Sequence, residues 1–208
     1  MTNTSTSREH WSQLWSTRSA RSVKWFQVRP TVSIDLISSV ENRRTAAVID
    51  IGGGASTLVD HLLDLEYTDL TVLDITDVAL DRARARLGER ADSVHWITAD
   101  VRTDRLDRLY DLWHDRAVFH FLTDAADRAR YVEAAERSIA PGGHLVIATF
   151  ATDGPDQCSG LPVQRYSPES LAAELAPAFT PIAETDEQHR TPGGDLQHFV
   201  YMVLQRPS

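Results

Sequence analysis

Apolar runs and amphipathic stretches alternate along this chain in a regular order. Residues 46–51, Ala-Ala-Val-Ile-Asp-Ile, break into three glycines and are followed by a helical pattern over about 56–65. Residues 70–75, Leu-Thr-Val-Leu-Asp-Ile, and residues 94–101, Val-His-Trp-Ile-Thr-Ala-Asp-Val, repeat the unit, with a helix ending at Leu87 between them. Short continuous apolar runs read as strands buried on both faces, and strands alternating with helices read as a parallel sheet. A fourth run starts at Tyr110 and passes through polar residues into a short apolar helix ending at Leu122. A helix over 125–140 then turns Tyr131, Ala134, Ala135, Ser138 and Ile139 inward, stops at Pro141-Gly142-Gly143, and leads to a fifth strand over 144–150. Two last strands, near 179–184 and 197–205, join across residues 189–194 as a hairpin. Upstream, residues 8–20 are helical with Trp11 and Trp15 on one face, and Pro30 precedes a helix over 31–40 with Val32, Leu36, Ile37 and Val40 inward. Residues 1–7 are polar and expected to be disordered.

Length and composition narrow the class. A chain of 208 residues suits one compact α/β domain over 42–208, preceded by a helical cap or lid over 1–41. No apolar run approaches the roughly 18 residues of a membrane span, and the first ten residues lack the regions of a signal peptide, so a cytoplasmic protein with no membrane partner is expected. One cysteine, Cys158, excludes an internal disulfide. A net charge of −9 argues against a nucleic-acid partner. The exception is local: Arg8, Arg18, Arg21, Lys24 and Arg29 face one acid, Glu9, and read either as a solvated helix face or as an anion-attracting rim.

Candidate chemistry gathers at the strand ends. The turn reads Asp50-x-Gly52-x-Gly54-x-Ser56; a dinucleotide fingerprint would need glycine where Thr57 stands. Glycines let the backbone approach a ligand, and the free N–H groups of the following helix attract polar groups. Asp74 ends the second strand twenty residues beyond Gly54, where nucleotide-binding units place an acid that accepts from ribose hydroxyls. Asp77 is the better candidate to cap the next helix. Asp100 ends the third strand, so three successive strands each finish at a candidate contact.

This combination resembles the class I methyltransferases that use S-adenosylmethionine. The resemblance implies a Rossmann-like three-layer α/β/α sandwich, its seven-stranded, mostly parallel sheet closed by an antiparallel last strand. It implies a cofactor site made of Asp50, Gly52, Gly53, Gly54, Ser56, Asp74, Ile75, Asp100, Val101 and His114, with Asp100 accepting from the adenine amino group. S-adenosylhomocysteine would be the product, and no metal is expected. The segment Trp113-x-Asp115-Arg116 is similar to the Trp-Asp-Arg of thiopurine S-methyltransferases, which makes Asp115, Arg116 and His120 the catalytic candidates. A hydroxyl acceptor would need His120 or Asp115 as base; a thiolate or carboxylate would need Arg116 as charge partner. Trp11, Trp15 and Trp25, with Phe26, read either as packing on the core or as a lid over the reacting atoms. The loop over 151–167 offers Cys158, Arg165 and Tyr166 to an acceptor, Tyr166 foremost, and Cys158 is not needed as a nucleophile. His189 and His198 face either pocket or surface.

The expected function is methyl transfer to an oxygen, nitrogen or sulfur atom of a small-molecule acceptor, by a monomer or homodimer. A protein (lysine) methyltransferase is the alternative. A nicotinamide-dependent oxidoreductase and a non-catalytic cofactor-binding protein stand further off.

Overall fold

The computed structural model describes the backbone of residues 4–208 and the side chains of residues 7–208; Met1, Thr2 and Asn3, part of the tail expected to be disordered, lie outside the described residues. The remainder of that tail is helical, because α1 runs Thr4–Thr17. In chain order there follow α2 (Thr31–Val40), β1 (Ala47–Ile51), α3 (Leu58–Asp64), β2 (Asp69–Asp74), α4 (Asp77–Leu87), β3 (Val94–Thr98), β4 (Tyr110–Arg116), α5 (Ala125–Ser138) and β5 (Ile139–Phe150). A two-residue pair, β6 (Gln157–Cys158) and β7 (Leu161–Pro162), precedes α6 (Pro168–Leu175), β8 (Thr180–Arg190) and β9 (Leu196–Gln205).

Seven strands form one sheet in the order β3-β2-β1-β4-β5-β9-β8. The first five are mutually parallel, and β9 runs antiparallel to both β5 and β8. Residue alternation explains how both faces are covered. Val48, Leu70, Val72, Leu112, Val146 and Val203 meet Ile34, Ile37, Leu58, Leu62 and Leu80 of α2, α3 and α4. Their neighbours Ile49, Leu73, Trp113, Leu145, Ile147 and Leu204 meet Tyr131, Ala135, Leu171 and Leu175 of α5 and α6. Adjacent side chains of a strand point to opposite faces, so two apolar layers require the uninterrupted apolar runs seen in the sequence.

Local details refine these expectations. Ile37 of the predicted stripe is fully buried on α2 with Ser33 and Ile34 beside it, and Val32, Leu36 and Val40 pack part-buried against the core. α2 packs in the main core, while residues between Ser7 and Pro30, together with Ser33 of α2, line the cavity at the strand ends. Pro141-Gly142-Gly143 lies inside β5, which starts at Ile139, since pairing with β4 and β9 satisfies the backbone there. Among the described residues no helix is long and apolar enough to cross a membrane.

Candidate active site

The strand order reverses between β1 and β4, and the crevice outside the carboxyl ends of β1, β2, β3 and β4 holds the site. The glycine turn leaves β1 with Gly52 and Gly54 at φ +63° and +37°, a region that penalises any residue with a Cβ. A Cβ at Gly52 would run into the Val118 side chain, and one at Gly53 would run into Asp50 and Val72. Gly53 donates to Leu73 O at 3.2 Å and Ser56 to Gly53 O at 2.6 Å, which locks the turn onto β2. Ser56 Oγ accepts from the Leu58 amide at 3.1 Å, so it serves the start of α3.

Asp74 is 7% exposed and accepts from the Thr76 amide at 3.0 Å. Burial pushes its carboxyl up to about 7, and the nearby charge of Asp50 adds to the shift. Thr76, rather than Asp77, caps α4 by accepting from the Ala79 amide. Asp74 is thereby left to the cavity it lines, beside Ile75. Asp100 lines the same cavity together with Val101, but both its oxygens accept from Arg102, at 2.9 and 2.6 Å. Arg102 also reaches Asp127 of α5 at 2.7 Å. Asp100 thus meets a ligand as half of an ion pair and not as the bare acceptor the sequence suggested.

The cavity encloses about 220 Å³. Asp50, Asp74, Ile75, Asp100, Val101 and His114 line its strand-end side, and Trp11, Trp15, Trp25, Phe26, Phe121 and Cys158 line the opposite side. Trp11 stands edge-on to Trp25 and Phe121 with ring centroids 6.0 and 5.1 Å apart, and Trp15 stands edge-on to Trp25 at 6.0 Å. The two readings of these tryptophans meet in one arrangement, because Trp15 is 6% exposed and packs on Ala55 and Ala79 while it also lines the cavity. Trp15→Ala is expected to cost about 3 kcal/mol, equivalent to roughly 6–12 °C in melting temperature for a chain of this size, read by calorimetry. A melting temperature within about 1 °C of the native value would show that α1 only fringes the core.

The catalytic candidates separate. His114, Asp115 and Arg116 are consecutive on β4, so strand alternation sends Asp115 to the other face of the sheet. Asp115 is fully buried, accepts from the amides of Val118 at 2.9 Å and Phe119 at 3.1 Å and from the Tyr131 hydroxyl at 2.6 Å, and does not line the cavity. Its role is to hold the turn after β4. His120 is also fully buried, between Phe121 and Phe150, and outside the cavity lining. Burial, with the Arg116 charge adding, pushes it down to about 3, which leaves a neutral ring too far inside to act as a base. Tyr166 is 2% exposed, packs on Phe119 and is likewise not among the residues that line the cavity.

Arg116 does line the cavity, and its guanidinium ties β4 to the cap and to the terminal hairpin. Nε donates to Tyr201 at 2.8 Å, Nη1 to Trp25 O at 3.2 Å and Nη2 to Glu187 at 3.2 Å. Gln27 adds a bond to Glu187 at 2.5 Å. The other loop candidates divide likewise. Arg165 is exposed and donates to Gly154 O, His189 meets Lys24 O at 2.8 Å, and His198 lies between Asp153 and Asp186. Among the described residues no cluster of three or more His, Cys, Asp or Glu could hold a metal ion.

Ser33, Gln27, Arg102, Phe121, Glu187 and Tyr201 were missed in the sequence. Only Ser33 left a signal: with Ile37 it occupies an i, i+4 stripe on α2, and a buried hydroxyl there requires a partner. The partner is His114, whose Nε2 lies 2.9 Å from Ser33 Oγ and whose Nδ1 lies 2.7 Å from Asp50.

A doubly covered, mostly parallel sheet with carboxylates at successive strand ends and a glycine turn at the switch point has the architecture in which open α/β sheets take their ligands at the strand ends. Residues 49–145 match a family described as methyltransferase domain. That stretch is similar to methyltransferase domains, and the sheet around it has the fold of solved methyltransferases. Nodulation protein S of Rhizobium tropici is 31% identical over 114 residues, which are 55% of this chain and 47% of that protein. The match therefore spans about half the length of that curated relative. Among solved structures, the N-methyltransferase NodS from Bradyrhizobium japonicum has a TM-score of 0.68 at 20% identity, covering 86% of this chain and 94% of its own. The 1,6-didemethyltoxoflavin-N1-methyltransferase of Burkholderia thailandensis has a TM-score of 0.69 at 20% identity, covering 98% of this chain and 85% of its own.

Proposed function

We propose that the protein moves a methyl group from S-adenosylmethionine to a small-molecule acceptor by in-line displacement, with nitrogen as the first choice of acceptor atom and oxygen or sulfur behind it. The observation that carries this is Asp74: a carboxylate buried at a strand end, facing a cavity whose opposite side is aromatic. A buried acceptor of this kind suits vicinal ribose hydroxyls, Ile75 and Val101 offer apolar surface to a flat base, and Asp50 stands under the turn for the methionine end. The cofactor supplies the activated methyl on a sulfonium, and the chain supplies alignment and the exclusion of water by Trp11, Trp25 and Phe121.

The preference for nitrogen follows from the lining. With Asp115 and His120 outside the lining, the aromatic part of the cavity offers no carboxylate or imidazole among the described residues; Cys158 there stays protonated, because burial pushes its thiol up to about 11. An acceptor must bring its own lone pair, as an uncharged amine or ring nitrogen does. The names of NodS and of the toxoflavin enzyme, both N-methyltransferases, support the same choice. A protein lysine acceptor needs a groove open to an extended chain, whereas Ser7, Trp11, Trp15, Val23, Trp25 and Phe26 lie across this one.

Incubation with methyl-labelled S-adenosylmethionine and a cell extract tests the reading. Label is expected in small basic solutes. Label in protein would transfer the assignment to a protein methyltransferase, and thermal stabilisation by a nicotinamide cofactor with none by S-adenosylhomocysteine would remove it.

A further inference from the structure

Beneath the glycine turn, buried polar side chains stand in file. His114 Nδ1 lies 2.7 Å from Asp50 Oδ1, its Nε2 lies 2.9 Å from Ser33 Oγ, and Ser33 bears in turn on the Tyr201 phenol. Tyr201 is tied down at the far end, donating to Glu187 at 2.9 Å and accepting from Arg116 at 2.8 Å. His114 is 3% exposed and Ser33 0% exposed. An ionised carboxylate only accepts, so the imidazole nitrogen nearest Asp50 carries the hydrogen between them. With both ring nitrogens engaged, the imidazole has one orientation, and through it Asp50 has one too. The other oxygen of Asp50 lies directly under Gly53, where a Cβ would collide with it.

We propose that His114, held by Ser33, is a positioning residue that aims Asp50 at the cationic ammonium of the cofactor's methionine end. This rests on the S-adenosylmethionine reading above and adds to it a device that the glycine turn alone does not contain. A lone carboxylate beside a flexible turn could rotate among rotamers; this one cannot rotate without breaking the 2.7 Å contact to the imidazole. Serine, histidine and aspartate in line also form the nucleophilic relay of hydrolases. Here the serine is 0% exposed among the cavity-lining residues, and its hydroxyl is engaged by the ring.

The test compares two ligands by calorimetric titration: S-adenosylhomocysteine, which has the ammonium, and methylthioadenosine, which lacks the whole amino-acid end. In His114→Phe, S-adenosylhomocysteine affinity is expected to fall about tenfold while methylthioadenosine affinity stays within about twofold. Retained methylthioadenosine binding also reports that the variant is folded. Ser33→Ala should lose about threefold in the same selective way, and His114→Asn, whose amide nitrogen stands near the position of Nδ1, should recover most of the loss. An unchanged ratio of the two affinities in His114→Phe overturns the proposal, and so does a parallel fall in both, which marks a merely structural histidine. A native protein that binds neither ligand removes the S-adenosylmethionine reading itself, an outcome visible before any variant is made.

Discussion

Asp74→Ala is expected to weaken S-adenosylmethionine binding by about 1–3 kcal/mol, a loss of roughly 5- to 150-fold in affinity measured by calorimetric titration. The effect is large because the ribose hydroxyls would lose a charged acceptor that is itself only 7% exposed. Unchanged affinity would reduce Asp74 to a strand-end residue that braces Thr76. The same group sets a pH dependence. Desolvation first, and the Asp50 charge after it, raise the Asp74 carboxyl to about 7 from an ordinary value of 3.8. Ionised Asp74 is the better acceptor for two hydroxyls, so affinity should decline as pH falls through 7. Asp74→Asn should bind more weakly, with a profile that is flat in this window. Stability of the ligand-free protein runs the other way. A carboxyl whose folded pKa is raised favours folding below its unfolded value and loses that contribution as pH rises through about 7. Acidification from pH 7 towards 4 should therefore raise the Asp74 contribution to stability while it lowers cofactor affinity.

The row of carboxylates at the strand ends was legible in the sequence for a geometric reason. Each βα unit advances by a similar length, and parallel strands deliver their carboxyl ends to one edge, so Asp50, Asp74 and Asp100 could be placed without coordinates. The acceptor half resisted because its parts come from distant segments. Glu187 and Tyr201 sit on the terminal hairpin, yet Arg116 on β4 and Gln27 ahead of α2 depend on them. No local period relates residues so far apart. The misplacement of Asp115 was different in kind, since the information was present: Trp113 and Asp115 share a strand face, and Trp113 is an apolar core residue. Treating residues 114–116 as one cluster ignored the two-residue period of the strand. His120 and Tyr166 could not be told from cavity-lining residues in the sequence, because whether a buried polar aromatic side chain faces the cavity depends on packing between distant segments.

Asp115→Ala should unfold the protein before it impairs chemistry, with a stability cost of about 3–5 kcal/mol and a fall of roughly 6–20 °C in melting temperature. The carboxylate answers three donors in a place without solvent, the amides of Val118 and Phe119 and the hydroxyl of Tyr131. Each orphaned donor costs about 1–3 kcal/mol, partly offset because a desolvated charge disappears. The turn it closes is under strain, since Ala117 sits at φ +72°, a conformation that penalises a side chain by about 1–2 kcal/mol. Damage there reaches the cofactor side, because Val118 fills the space beside Gly52. The Tyr131 hydroxyl also accepts from Trp113 Nε1 at 2.9 Å, so α5 is tied to β4 through the same carboxylate. Asp115→Asn, which keeps one carbonyl acceptor, should cost less than half as much. A catalytic Asp115 would give the opposite pattern, a collapse of kcat in a protein that melts normally, and that result would return the residue to the active site.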